Sequence, residues 1–157
     1  MNRNVVTSRE ALVQVIATNL LTAGYRYYVV GRIPDGKDPQ RVDAKLKAKY
    51  GLGLSRWQRA RRKRAGSASV RYLRHGRLFV MLATEGKHRW FEEERSLIRD
   101  ARRVPLKVAG YAISLCGRGV GKGRSAYRVR VTLRRSTYKD LKAYFLELAT
   151  HRSADNL

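Results

Sequence analysis

The segment RLFVMLA, Arg77–Ala83, is apolar at almost every position after its first residue. A strand with one wet face alternates between apolar and polar side chains, whereas a strand without that alternation has to be covered on both faces. SVRYL, Ser69–Leu73, precedes it, and His75-Gly76 separates the two as a turn. The pair reads as a β-hairpin whose second strand lies at the centre of a sheet.

The flanking segments fill in the other elements. Residues 25–33, YRYYVVGRI, are rich in β-branched and aromatic types and read as a strand. Tyr25, Tyr27, Val29 and Ile33 point one way, and Arg26, Tyr28, Val30 and Arg32 the other. A turn at Pro34-Asp35-Gly36 follows. Asp38 then caps a helix with Pro39 in its first position. Val42, Leu46 and Tyr50 recur along this helix, and Gly51 ends it. Ser55 caps a second helix, RWQRARRKR, Arg56–Arg64, which Gly66 and Ser67 close.

Toward the N-terminus, residues 8–23 form an amphipathic pattern with Leu12, Val15, Ile16, Asn19, Leu20 and Ala23 on one face. Thr7 and Glu10 match a capping box, and Gly24 is a natural stop. Beyond the hairpin, residues 89–104 predict a helix with Glu92, Glu93 and Glu94 early and Arg99, Arg102 and Arg103 late, which suits its dipole. Trp90, Glu94, Leu97, Ile98 and Ala101 share a face, and Pro105 follows the end. Leu106–Cys116 reads as a strand and GRGVGKGR, Gly117–Arg124, as a loop. In the next strand, Tyr127, Val129, Val131 and Leu133 alternate with Arg128, Arg130 and Thr132. Ser136 caps a last helix with Tyr138, Leu141, Phe145 and Leu148 facing inward, and residues 151–157 fray.

This order predicts an α+β fold of ferredoxin-like type, βαββαβ, over residues 25–150. An N-terminal helix over residues 1–24, the arginine-rich helix over 55–65 and a C-terminal strand-helix extension are added to it. Such a sheet carries helices on one face and leaves the other open.

Charge narrows the function. Thirty-five Lys and Arg residues oppose 12 Asp and Glu, a formal net charge of +23. A compact domain this basic repels itself unless a polyanion neutralises it, and this is the electrostatic footprint of a nucleic-acid binder. Cys116 is the only cysteine, so one chain holds no disulfide framework and no cysteine-based zinc site. A cytoplasmic setting fits that count. Arg9 and Glu10 interrupt the first apolar stretch, unlike a signal peptide, and no apolar run is long enough to span a membrane.

The sharpest basic feature is the second helix, with Arg56, Arg59, Arg61, Arg62, Lys63 and Arg64 in nine residues. Like charges three and four apart repel along a helix, and phosphate binding relieves that repulsion. Trp57, Ala60 and Arg64 form the narrow face left for packing. Arg26, Arg32, Arg128 and Arg130, with Tyr28 among them, are expected to share the open sheet face as a platform for single strands. Arg118, Lys122 and Arg124 extend it from the glycine-rich loop, whose amides can approach phosphate. That loop lacks the spacing of a nucleotide-binding phosphate loop.

His75–Leu82 resembles, in part, the RNP1 motif of RNA-recognition domains. Gly76, Phe79 and Val80 match, whereas His75, Arg77 and Leu82 depart, and a buried central strand accounts for the same letters. The leading expectation is a nucleic-acid-binding protein that prefers RNA to DNA, acting without a cofactor or metal, alone or within a ribonucleoprotein. Two alternatives stand beside it. One is a structural protein of a large RNA assembly. The other is a metal-dependent nuclease, nicking or transposase-like protein centred on Glu85, His88 and Glu92–Glu94, with Tyr138 or Tyr144 as nucleophile. The second alternative lacks the paired metal-binding histidines of rolling-circle nicking enzymes, which it would otherwise resemble.

Overall fold

The computed structural model describes residues 4–117 and 127–154, with side chains through His151. It is a mixed α+β structure with two antiparallel sheets. The first contains β1 (Tyr27–Arg32), β2 (Val70–His75), β3 (Leu78–Ala83) and β4 (Arg99–Asp100), in the order β2-β3-β1-β4. The second contains β5 (Leu106–Val108), β6 (Tyr111–Gly117) and β7 (Tyr127–Leu133) in sequence order. Helices are α1 (Arg9–Gln14), α2 (Pro39–Tyr50), α3 (Arg56–Arg64), α4 (Arg89–Glu93) and α5 (Arg135–Ala154).

The apolar run takes the central place that its composition demands. β3 lies between β2 and β1, with Met81 opposite both Tyr72 and Val29. Val80, Met81, Leu82 and Ala83 are all buried. One face of the sheet packs Val29, Val70, Tyr72 and Met81 against Tyr50 of α2 and Trp90 of α4. The opposite face packs Tyr28, Leu73, Val80 and Leu82 with Leu12, Ile16 and Leu20 from the N-terminal helix and Leu106, Ile113 and Leu115 from the second sheet. The bare face expected of a ferredoxin-like sheet is therefore covered here, because a central strand without polar positions needs a layer on each side.

Four local expectations change. The N-terminal helix is capped by Ser8, whose hydroxyl accepts from the Ala11 amide, and not by Thr7. It widens into a π-helical turn over Val15–Leu20, in which the Leu21 amide reaches back to the Ile16 carbonyl, then ends in a 3-10 turn before Gly24. The widened register buries Ala17 and Leu21 and turns Asn19 out to solvent. The helix predicted over 89–104 stops at Glu93, and Arg99–Asp100 instead pairs with β1. Asp100 grips the Arg102 guanidinium and amide there, a local bond that competes with helix. The strand predicted over 106–116 breaks into β5 and β6 at Ala109-Gly110, and the two pair with each other.

The largest departure is α5. Tyr138, Leu141, Phe145 and Leu148, expected to be buried, are 39–63% exposed. Both faces of the central sheet are already occupied, and β7 runs outward, leaving Val131 and Leu133 exposed. The first turn of α5 touches the body where Thr137 lies near Gly110 and the Arg134 amide donates to the Gly110 carbonyl, 2.9 Å.

A buried ion pair fixes the approach to α3. Asp43 of α2 is 2% exposed and accepts from Arg74 Nε at 2.8 Å, from Arg74 Nη2 at 2.8 Å and from the Tyr72 hydroxyl at 2.6 Å. Burial and the Asp43 carboxylate both push the Tyr72 hydroxyl well above the usual phenol range. The same carboxylate holds Arg74 charged. Thus α2 is bolted to edge strand β2 just before the chain departs for the arginine-rich helix.

Candidate nucleic-acid interface

Sequence dictates where α3 begins and ends. Gly51 closes α2 with φ of 62°, and Gly66 follows α3 with φ of 82°, left-handed conformations that glycine adopts without strain. Ser55 and Gln58 form a reciprocal capping box: the Gln58 amide donates to Ser55 Oγ, and the Ser55 amide to Gln58 Oε1.

The helix is turned the opposite way from its apolar content. Arg59 is half-buried, and its Nη1 donates to the Leu54 carbonyl at 2.6 Å. Arg59 and Arg62 line a narrow cleft with Tyr50, Leu54 and His88. Trp57 is 84% exposed. At about 100° per residue, Arg59 and Arg62 fall on one side of the helix, while Trp57, Arg61 and Arg64 cluster within about 60° on the other. Leu52 packs on the α2-side core and Leu54 is half-buried, so the linker leucines fill the place that Trp57 was expected to take. The Arg59 stem completes the seat while its head group finds a carbonyl.

Arg56, Arg61, Arg62, Lys63 and Arg64 are exposed, and none of the helix's six bases pairs with a carboxylate among the described residues. Beneath the helix, burial pushes the His88 imidazole below its ordinary pKa, and Arg62 pushes it the same way, against an opposing hydrogen bond that the ring donates to the Tyr50 backbone carbonyl. His88 Nδ1 accepts from the Trp90 amide at 3.0 Å and so caps α4.

The sheet platform does not form. Tyr28 lies on β1 of the first sheet with Arg26 just before that strand, whereas Arg128 and Arg130 lie on β7 of the second sheet. Tyr28 is 5% exposed, with its hydroxyl donating to the Val104 and Pro105 carbonyls. Arg26 is half-buried over the Tyr127 ring at 5.6 Å. Arg32, Arg128 and Arg130 are exposed; Arg32 shares the Tyr28 face of β1, whereas Arg128 and Arg130 lie on the other sheet. Arg118, Lys122 and Arg124 lie outside the described residues.

Sequence reading missed a second guanidinium at Tyr127. Arg102 lies 5.8 Å from that ring and 6.0 Å from the Tyr27 ring, while holding Asp100 at 2.7 Å. An arginine two residues after an aspartate was the available signal, but it was read as helix.

The carboxylates after β3 are spread among separate duties. Glu93 pairs with Lys49 at 3.3 Å and Arg89 at 3.2 Å, which hold it below the usual carboxylate range. Glu94 accepts from the Tyr50 hydroxyl at 2.6 Å. Among the described residues, no group of three or more His, Cys, Asp or Glu side chains comes close enough to hold a metal ion. Nor is any described helix long and apolar enough to cross a membrane. Comparison with protein-family models, curated proteins and solved structures finds no match.

Proposed function

We propose that this chain binds nucleic acid, RNA in preference to DNA, with α3 as its principal contact. The observation that carries the reading is a nine-residue helix with six bases and no buried residue, whose charges are uncompensated among the described residues. Packing gains little from such a helix, and its bases repel one another; phosphates remove that repulsion and release counterions. Arg128 and Arg130, exposed on β7, extend the basic surface. The reading is that of a binding protein, alone or as a small ribonucleoprotein subunit, in the cytoplasm. The order β2-β3-β1-β4 with antiparallel pairings supports a ferredoxin-like arrangement for the first sheet, with its second face covered by the N-terminal helix and second sheet.

The test is binding of labelled oligonucleotides across a salt series. Replacing Arg56, Arg61, Lys63 and Arg64 together by Gln spares the Arg59–Leu54 anchor. Each lost phosphate contact flattens the log affinity–log salt slope by about 0.7 on single strands, so up to about 3 in total. An unchanged slope and affinity would remove α3 from the interface.

A further inference from the structure

Trp57 is the residue on α3 that phosphate binding leaves unexplained. It is one of two tryptophans in the chain; the other, Trp90, is fully buried. Tryptophan is highly buried on average, and Trp57 at 84% exposure departs far from that average. The helix has not failed to find a place for Trp57; it seats through Arg59 and sends the indole outward. Arg61 and Arg64 stand one and two turns along on the same side. No described ring or guanidinium stacks on the indole.

An exposed indole flanked by guanidinium groups fits a particular form of nucleic acid. In a duplex the base faces are stacked on one another, and only edges and phosphates are presented. An unpaired base presents a free π-face that an aromatic ring can cover while neighbouring phosphates meet the bases on either side. A lipid surface is the competing polyanion for tryptophan with arginine. Interfacial helices, however, bring a broad apolar face to the membrane, and α3 has only Trp57 and Ala60 beside seven polar or charged residues.

We infer that Trp57 is a base-stacking platform and that α3 selects nucleic acid with unpaired bases. This rests on the proposal that α3 binds nucleic acid, and the two can fail separately. The exposed position also supplies the probe, because the emission lost in Trp57→Phe is that of Trp57 and the remainder is that of Trp90.

The experiment titrates full-length protein with a uridine homopolymer, with a blunt RNA duplex of equal phosphate number, and with phosphatidylserine vesicles, following both fluorescence and an independent binding signal. The single strand should bind and quench Trp57, and the duplex should bind by charge with little quenching. Trp57→Leu should lower single-strand affinity about 5- to 150-fold, with the salt slope and duplex affinity unchanged. Trp57→Phe should recover part of the loss. An unchanged thermal midpoint in both variants would establish that the fold is intact. Single-strand binding without quenching, or equal losses on single strand and duplex, overturns the stacking role and leaves the basic helix standing. Absence of binding to both polymers overturns the nucleic-acid reading itself. A blue shift on vesicles with no response to oligonucleotide assigns Trp57 to a lipid surface and overturns the inference.

Discussion

Two helices of this protein escape its core, α3 and α5, and they do so with opposite chemistry. Within α3 there are six bases and one large aromatic residue. Along α5, Tyr138, Leu141, Tyr144, Phe145, Leu146 and Leu148 are all at least 39% exposed. Attachment differs as well. The arginine-rich helix is held at both ends: Asp43 bolts the preceding helix to β2, while the Ala68 amide donates to the Lys87 carbonyl just after Gly66. In α5 the contact with the body lies in the first turn, at Gly110. Exposure by itself thus says little about a helix; what matters is whether the body holds it in a defined attitude. By that standard α3 is positioned and α5 is tethered.

The strongest way to break this contrast is to cut the bolt. Asp43→Ala leaves Arg74 as a buried charge without its carboxylate, at a cost of about 3–5 kcal/mol. Urea unfolding followed by circular dichroism should show the loss. A change smaller than about 1 kcal/mol would mean that α2 and the α3 linker are held by apolar contacts alone.

Acid should act on the seat of α3 next. His88 has a lowered pKa in the folded chain, so the unfolded chain binds the proton first as pH falls. Its contribution to stability is complete above the ordinary imidazole value of 6.5 and is lost as pH drops through the depressed value. The thermal midpoint should fall between neutral and mildly acidic pH, and His88→Asn, which keeps a capping side chain without a titrating ring, should flatten that fall. An identical pH profile for the variant would assign the acid sensitivity elsewhere.

The smallest effect belongs to α5. Phe145→Ser removes a ring that is 63% exposed, so unfolding free energy should change by less than about 0.5 kcal/mol. A loss above about 2 kcal/mol would show that the helix packs in solution and would erase the distinction drawn here.

Legibility in the sequence followed the same division. The hairpin, the strand before it and helices α2 and α3 with their caps were readable, because turn chemistry and periodicity are local. The apolar run Leu78–Ala83 also required covering layers on both faces, which the expectation of an open sheet platform set aside. Tyr28 was read as a base-stacking ring because alternation gives the face of a residue and says nothing of what lies over it. Trp57 was read as packing because it is the largest apolar group on its helix. Two of the competing anchors, Leu52 and Leu54, belong to a linker without periodicity, and the third, the Arg59 stem, was counted among the exposed bases. The apolar stripe of α5 obeys the helical period and yet meets no core, since periodicity states that a face is apolar and not that this chain covers it.

The pair of left-handed glycines around α3 has a consequence for descent. Between Gly51 and Gly66 the chain leaves the body and returns to it, and none of the nine helical residues is fully buried. Substitutions at the helix's exposed positions, Arg56, Trp57, Arg61, Lys63 and Arg64, touch no buried residue of either sheet. A lineage built on this scaffold can rewrite the exposed face of this helix one codon at a time, while the core that carries it stays under separate selection.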